Sequence, residues 1–419
     1  MQTTEQTQPS VFLKPRSRRY IIYLVFFMGI VAIMDQYLSM VPITYMNSIL
    51  DEYSMSASQF SWWEALYLIP TFFIFALNGL VDIIGRKFSI LVLVLIMGLS
   101  SLAIVLFTPT FHLFMVFYAI VTFTTVSNMW TIPISEESPA KKRAELTSIV
   151  YVIGLFPLSA IIPLYVIPTL GWKWMYGIMF FFMIPVLVLW VFMKETGRYE
   201  EIKEERKSGK LKKHFFGLGS INRSDIKYIF FSAVIWLCWL INSLLIIRWM
   251  GYYFMEVHGY ARSEWLMVFL ASGIMMIIGG VVSGYVMDKI GRKIGFIIGA
   301  AGFAVSLFLM SFGPVPLLPV WGALTGFFIA FAYAWVIVYI PEIFPTERRG
   351  TCLGWTTTVA RVSYVVGPVI AAVMLETNPT MEWFWVVGGL LMILAIVIVV
   401  LFHPYETKVM ELEEIEVNR

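Results

Sequence analysis

"DIIGRK", residues 82–87, closes one long apolar run, and "DKIGRK", residues 288–293, closes another 206 positions later. The same offset carries Ile134 to Ile340, Glu136 to Glu342, Pro139 to Pro345 and Arg143 to Arg349, setting "ISEESPAKKRAE" against "IPEIFPTERRGT". Two unrelated motifs that share one offset argue for internal duplication. The chain reads as two halves, 1–198 and 226–419, joined by a charged connection over 199–225.

Composition says what the halves are made of. Hydrophobic residues are 59% of the chain, charged ones 14%, and the mean hydropathy is +0.80, which no water-soluble domain matches. A helix crossing about 30 Å of hydrocarbon needs roughly 20 apolar residues with a fully paired backbone. Twelve such segments fall near 20–45, 60–81, 88–107, 111–133, 146–169, 173–193, 226–250, 264–287, 294–312, 315–340, 351–375 and 381–402. A membrane barrel would alternate at period two, and these runs do not. The expectation is an all-α membrane protein with twelve transmembrane helices in two pseudo-symmetric six-helix bundles.

Lysine and arginine set the orientation. Lys14, Arg16, Arg18 and Arg19 precede the first span; Arg86 and Lys87, Lys141 to Arg143, the connection from Arg198 to Lys227, Lys289 to Lys293, and Arg348 with Arg349 all fall on the same side. Both termini are expected in the cytoplasm of a cell whose plasma membrane holds the chain. No cleavable signal is expected, because the first nineteen residues are polar and no cleavage site follows a short apolar core. The net charge of +3 follows from the positive-inside bias and calls for no nucleic-acid partner. Cys238 and Cys352 lie in or beside spans, so no disulfide framework is implied, and the four histidines lack metal-ligand spacing. The expected partners are a small-molecule substrate, protons and the lipid bilayer, for a monomer without metal or cofactor. The charged run 199–213 reads as a solvated helix between the halves, with lipid-headgroup contact as the alternative.

The repeated residues sit at cytoplasmic helix ends, where Asp82 and Asp288 can accept hydrogen bonds from the N-terminus of a neighbouring helix. Such bonds can break as the halves rock, so Asp82, Arg86, Asp288, Arg292, Glu136, Arg143, Glu342 and Arg349 are assigned to gating. On these motifs the chain resembles the major facilitator superfamily over essentially its whole length. That family's loop reads Gly-x-x-x-Asp-x-x-Gly-Arg-Lys. Gly284, Asp288, Gly291, Arg292 and Lys293 fit it, whereas Asn78 takes the first glycine's place in the other copy. The resemblance implies alternating access about a midplane site between the halves.

Ionisable residues inside the membrane are costly and mark function. Arg361 lies eleven residues past Gly350, about 16 Å along a helix and near mid-bilayer. It must face either a wet cavity, where its fork suits a substrate carboxylate, or an internal acid. "RRGTCLGWTTTVARVSYVVGPVI" is similar to span 11 of aromatic-acid/proton symporters and organic-ion transporters, which implies an anion partner at Arg361. Asp35, mid-way along the first span, reads as a proton site, as a contact for a cationic substrate, or as structural. The resemblance favours proton coupling, but the cation that family members carry on span 4 is missing from "LFMVFYAIVTFTTVSNMW". Arg361, Arg248 or substrate must then pair with Asp35. Arg248, at the end of the seventh span, reads as an outer-gate residue.

In this fold spans 1, 4, 7 and 10 line the cavity, so Gln36, Tyr37, Asn128, Asn242, Tyr333, Trp335 and Tyr339 are the candidate binding residues. Aromatic faces with few polar groups suit a flat organic ligand. No polar filter suggests a channel, and no nucleophile–base or metal set suggests an enzyme. The reading is a secondary transporter for a small organic anion, aromatic or another carboxylate, coupled to protons. The alternatives are a sugar or polyol porter and an organic-cation transporter.

Overall fold

The computed structural model describes residues 16–44, 46–55, 57–125, 127–155, 170–208, 221–378, 380–408 and 410, and no strand occurs among them. Lys14, residues 209–220 of the connection and the outer half of the fifth expected span, 156–169, lie outside the described residues. In chain order the α-helices are α1 (Arg18–Thr44), α2 (Met46–Tyr53), α3 (Ala57–Tyr67), α4 (Ile74–Ile84), α5 (Arg86–Phe107), α6 (Phe111–Thr124), α7 (Thr131–Glu137), α8 (Arg143–Gly154) and α9 (Trp174–Phe192). After the connecting helix α10 (Gly197–Lys207) come α11 (Arg223–Tyr252), α12 (Arg262–Ile290), α13 (Arg292–Phe312), α14 (Leu318–Glu342), α15 (Arg349–Ala360), α16 (Ser363–Thr377) and α17 (Glu382–Phe402).

Among the described residues nine helices are long and apolar enough to cross a membrane. The fourth and eleventh expected spans fall short of that test because each is broken in two, and the fifth because its described part stops at Leu155. The second span is interrupted as well. A 3-10 segment, Ile69–Phe73, separates α3 from α4, and Pro70 within it has no N–H to offer a continuous helix. In the fourth span Asn128 adopts φ 53°, a left-handed conformation that asparagine tolerates better than most residues. In the eleventh the helix ends at Ala360 and resumes at Ser363, leaving Arg361 and Val362 in a turn.

Two seams join the halves, α4 against α15 and α8 against α12, and they are equivalent under the 206-residue offset. In the second seam a methyl group on Gly284 would sit 2.7 Å from Ser148 Cβ, so only glycine permits the approach. In the first seam the offset places Asn78 opposite Gly354, where an added Cβ would lie 2.7 Å from Phe75 Cα and 3.0 Å from Asn78 Cβ. Asn78 therefore does not shift the packing: the missing glycine is supplied by the partner helix.

Candidate functional site

The Gly-Arg-Lys turns lie at one end of the bundle, and each is bonded across its seam. Asp82 accepts the main-chain N–H groups of Gly350 (3.2 Å) and Thr351 (2.7 Å) and the Thr351 hydroxyl (3.0 Å). Its charge thus sits at the N-terminus of α15, where the helix dipole favours an anion. Asp288 does the same for α8 more sparingly, accepting the Glu145 N–H at 2.9 Å while Arg292 holds its other oxygen at 2.9 Å. Arg86 and Arg349, from opposite halves, both donate to Glu136 at 2.8 Å. Arg86 also reaches the Thr346 carbonyl across the seam at 3.0 Å. In the second copy Arg292 meets Glu342 at 2.9 Å, but Arg143 stands 3.7 Å away. The first lock is the tighter of the two. Burial works to raise the Glu136 carboxyl, yet the Arg86 and Arg349 charges prevail and hold it below the ordinary range.

A third repeated pair escaped the sequence reading. Glu195 accepts the N–H groups of Arg86 (2.9 Å) and Lys87, and Glu406 those of Arg292 (2.9 Å) and Lys293. Thr196 and Thr407 follow them and donate to Glu136 and Glu342, each at 2.6 Å. The signal is "ET" at 195–196 and again at 406–407, an offset of 211 rather than 206. Burial pushes the Glu195 carboxyl up against the opposing pull of these N–H donors. The connecting helix α10 also crosses the first lock, with Arg206 donating to the carbonyls of Asp82 and Glu347.

Arg361 hydrogen-bonds to main-chain carbonyls, with the Asp35 charge acting on it at longer range. It is fully buried, lines neither of the two cavities described below, and donates to two main-chain carbonyls of the other half, Thr71 (3.2 Å) and Thr125 (2.6 Å). Both carbonyls lie at helix interruptions, Thr71 in the 3-10 segment of the second span and Thr125 just past α6. A break frees carbonyls from the i→i+4 ladder, and one guanidinium gathers two of them at the turn in its own span. Its Nε has no partner among the described residues.

The partner expected for Asp35 was a cation. Asp35 is buried, the Trp130 indole donates to it at 2.8 Å from the span where that cation was missing, and the Arg361 charge acts on it at longer range.

Between the halves lies a cavity of about 80 Å³. Gln36, Trp239, Tyr118, Tyr151, Tyr333 and Tyr364 furnish much of its wall, with Glu64 and Arg248 as its charged members. Trp239 stacks on Tyr333 at 4.2 Å, and Tyr151 meets the same ring edge-on at 5.2 Å. Arg361 lies just behind the wall, since Thr125 and Tyr364, which it contacts, both face the cavity. At the opposite end from the Gly-Arg-Lys turns, Arg248 donates to both oxygens of Glu64 at 2.5 and 3.1 Å, joining α11 to α3. Inter-half bonds thus bridge the bundle at both ends.

The other candidates divide. Asn128 is held by Tyr333, whose hydroxyl donates to it at 3.0 Å. Tyr37 donates to the Met175 carbonyl and faces a second, apolar cavity of about 310 Å³, which Gln36 also borders. Three lie away from both cavities. Asn242 donates to the carbonyls of Cys238 and Gly388, facing α17. Trp335 packs on Phe296 and Phe231, and Tyr339 stacks on Trp335 and donates to the Tyr405 carbonyl.

Repeated helical elements bonded to each other at both ends of a bundle of long apolar helices define a multi-pass membrane transporter. The chain belongs to the Major Facilitator Superfamily, whose sequence profile matches residues 25–292 and 249–416. A Bacillus subtilis (strain 168) protein assigned to metabolite transport is 26% identical over 381 residues, 81% of this chain and 82% of that one. A gentisate transporter of Corynebacterium glutamicum is 28% identical over 235 residues, 53% of this chain and 50% of its own. In structure, the proton:xylose symporter XylE bound to 6-bromo-6-deoxy-D-glucose shares the fold, with a TM-score of 0.77 at 18% identity over 96% of this chain and 100% of that one.

Proposed function

We propose that this transporter carries a small organic anion, aromatic or another carboxylate, into the cell together with protons. The halves 1–198 and 226–419 rock about the central cavity in the plasma membrane, with the connection 199–225 and both termini on the cytoplasmic side. The observation that carries this reading is a cavity walled by aromatic rings, with one half-buried guanidinium in its wall, Arg248, and a fully buried one just behind it, Arg361. Flat rings stack on such walls, and a carboxylate is the natural partner of a desolvated guanidinium. The gentisate transporter among the relatives supports the same class. Asp35 is the proton site: it is a buried carboxylate that accepts a hydrogen bond from the neutral Trp130 indole, and low dielectric opposes its charged form, so it can gain and lose a proton as access alternates. Arg361 meets cargo once rocking pulls it from the Thr71 and Thr125 carbonyls.

A second reading is a neutral sugar or polyol. It is favoured by the same two carbonyl bonds, which satisfy Arg361 without an anion and leave Gln36, Thr122, Ser243 and tyrosine hydroxyls in the wall. Thermal stability of the purified protein separates the two, because a ligand at 100 times its Kd adds about 2.7 kcal/mol to the state that binds it. Gentisate or benzoate should raise Tm and Arg361→Gln should abolish the rise. Stabilisation by xylose alone, unchanged in Arg361→Gln, would decide for the sugar.

A further inference from the structure

We propose that the Glu64–Arg248 ion pair is the admission site for cargo: an entering carboxylate takes Arg248 over from Glu64, and it does so only after a proton has neutralised Glu64. This rests on the anion reading above and adds a site to it, distinct from Asp35 and Arg361.

Three observations carry it. Among the described residues, Arg248 is the one cation and Glu64 the one acid lining the central cavity, and they are bonded to each other. The pair joins the halves at the end opposite the Gly-Arg-Lys turns, so opening that end must part it. Among the described residues the buried Nε of Arg248 has no partner, a donor beyond the two that Glu64 occupies.

The electrostatics then fix the order of events. A guanidinium stripped of its counter-charge in a dry interior is strongly disfavoured, so Arg248 needs a carboxylate at every stage. Two carboxylates on one guanidinium would leave an uncompensated negative charge, which low dielectric penalises equally. Exchange conserves charge only if Glu64 is neutral when cargo binds. The proton comes from the solution on that side and bonds to a Glu64 carboxylate oxygen. The two Arg248–Glu64 hydrogen bonds break, and the cargo carboxylate forms their replacements. The group that makes the switch workable is Tyr118, whose hydroxyl donates to Glu64 Oε1 at 2.7 Å. A hydroxyl also accepts, so once its own hydrogen rotates away the Tyr118 oxygen can accept a hydrogen bond from the O–H of neutral Glu64. Around Glu64 the titratable and charged groups among the described residues are Arg248 on α11, Tyr118 on α6, Tyr176 on α9 and Tyr364 on α16. None of the others supplies a second positive charge.

The test is the half-saturation for labelled gentisate entering liposomes that hold the full chain, measured against outside pH. Uptake of one proton per anion bound makes the wild-type value rise about tenfold per pH unit wherever Glu64 is ionised. Glu64→Gln should flatten that dependence, Glu64→Asp should keep it, and Asp35→Asn should keep it while losing accumulation driven by a proton gradient. A Glu64→Gln chain with the wild-type slope overturns the proposal. So does a wild-type chain that exchanges gentisate with a pH-independent half-saturation, a result that needs no variant and leaves the anion reading standing. Absence of any gentisate exchange by the wild-type chain would instead remove the anion reading itself.

Discussion

Replacing Asp82 by asparagine should open the end of the molecule that carries the Gly-Arg-Lys turns. Asp82 gathers two N–H groups and one hydroxyl at the start of α15, the tightest contact 2.7 Å, and every one of these bonds crosses between halves. Hydrogen bonds to a charged acceptor are worth about 1.5–3 kcal/mol each, and the helix dipole adds about 0.3–1 kcal/mol. Asparagine keeps one accepting oxygen, so a net loss of about 2–3 kcal/mol is expected, a shift of roughly 30- to 150-fold toward the open form. Asp288→Asn removes a single cross-half N–H bond, from Glu145, and should shift the balance only roughly 5- to 12-fold. Spin labels at the exposed positions Lys141 and Lys289, in a chain with Cys238 and Cys352 replaced by serine, report the separation of the halves at this end. Asp82→Asn should add a long-distance population larger than that of Asp288→Asn. An unchanged distribution in Asp82→Asn, or equal displacement in both, would refute the assignment of the first seam as the stronger lock.

Other outcomes follow from the same contacts. Glu136→Gln leaves Arg86 and Arg349 buried without their shared acid and should cost about 3–5 kcal/mol of stability, read as a fall in Tm. Because the folded carboxyl of Glu136 is held below its ordinary range, its contribution is full above that range and lost as pH falls through the folded value. The Tm gap between wild type and Glu136→Gln should therefore narrow in acid, and a constant gap would contradict the coupling. Asn128→Ala and Tyr333→Phe both remove the 3.0 Å bond between the two residues, but alanine must also hold φ 53°. It should therefore be the less stable variant by about 1 kcal/mol, measured by the same melt. Gly354→Val should prevent α15 from closing on α4 and hold the spin-label distribution open, whereas equal closure would show that the seam tolerates a side chain.

Much of the gate was legible because its parts repeat. Asp82 and Asp288 at neighbouring helix N-termini follow from charge, spacing and helix physics alone. Glu195 and Glu406 were missed because five extra residues shift their offset to 211. The depth of Arg361 could be counted from Gly350, but its partners are main-chain carbonyls, and residue types do not announce those. Pro70 and Asn128 were the available hints that the second and fourth spans are interrupted. The sidedness of α11 and α14 was not readable, since both are apolar all round and offer no polar stripe to orient them. Asn242, Trp335 and Tyr339 were accordingly placed in the wall, while Tyr364 and Trp239, which face the cavity, and the Glu64–Arg248 pair at its end were not.

Proton-driven accumulation in liposomes measures directly whether anionic cargo is carried together with protons. With the outside acidic, the wild-type chain should concentrate labelled gentisate above equilibrium, lose the gradient when a protonophore is added, and yield to benzoate but not to xylose. Xylose accumulation under the same gradient, with gentisate excluded, would contradict it.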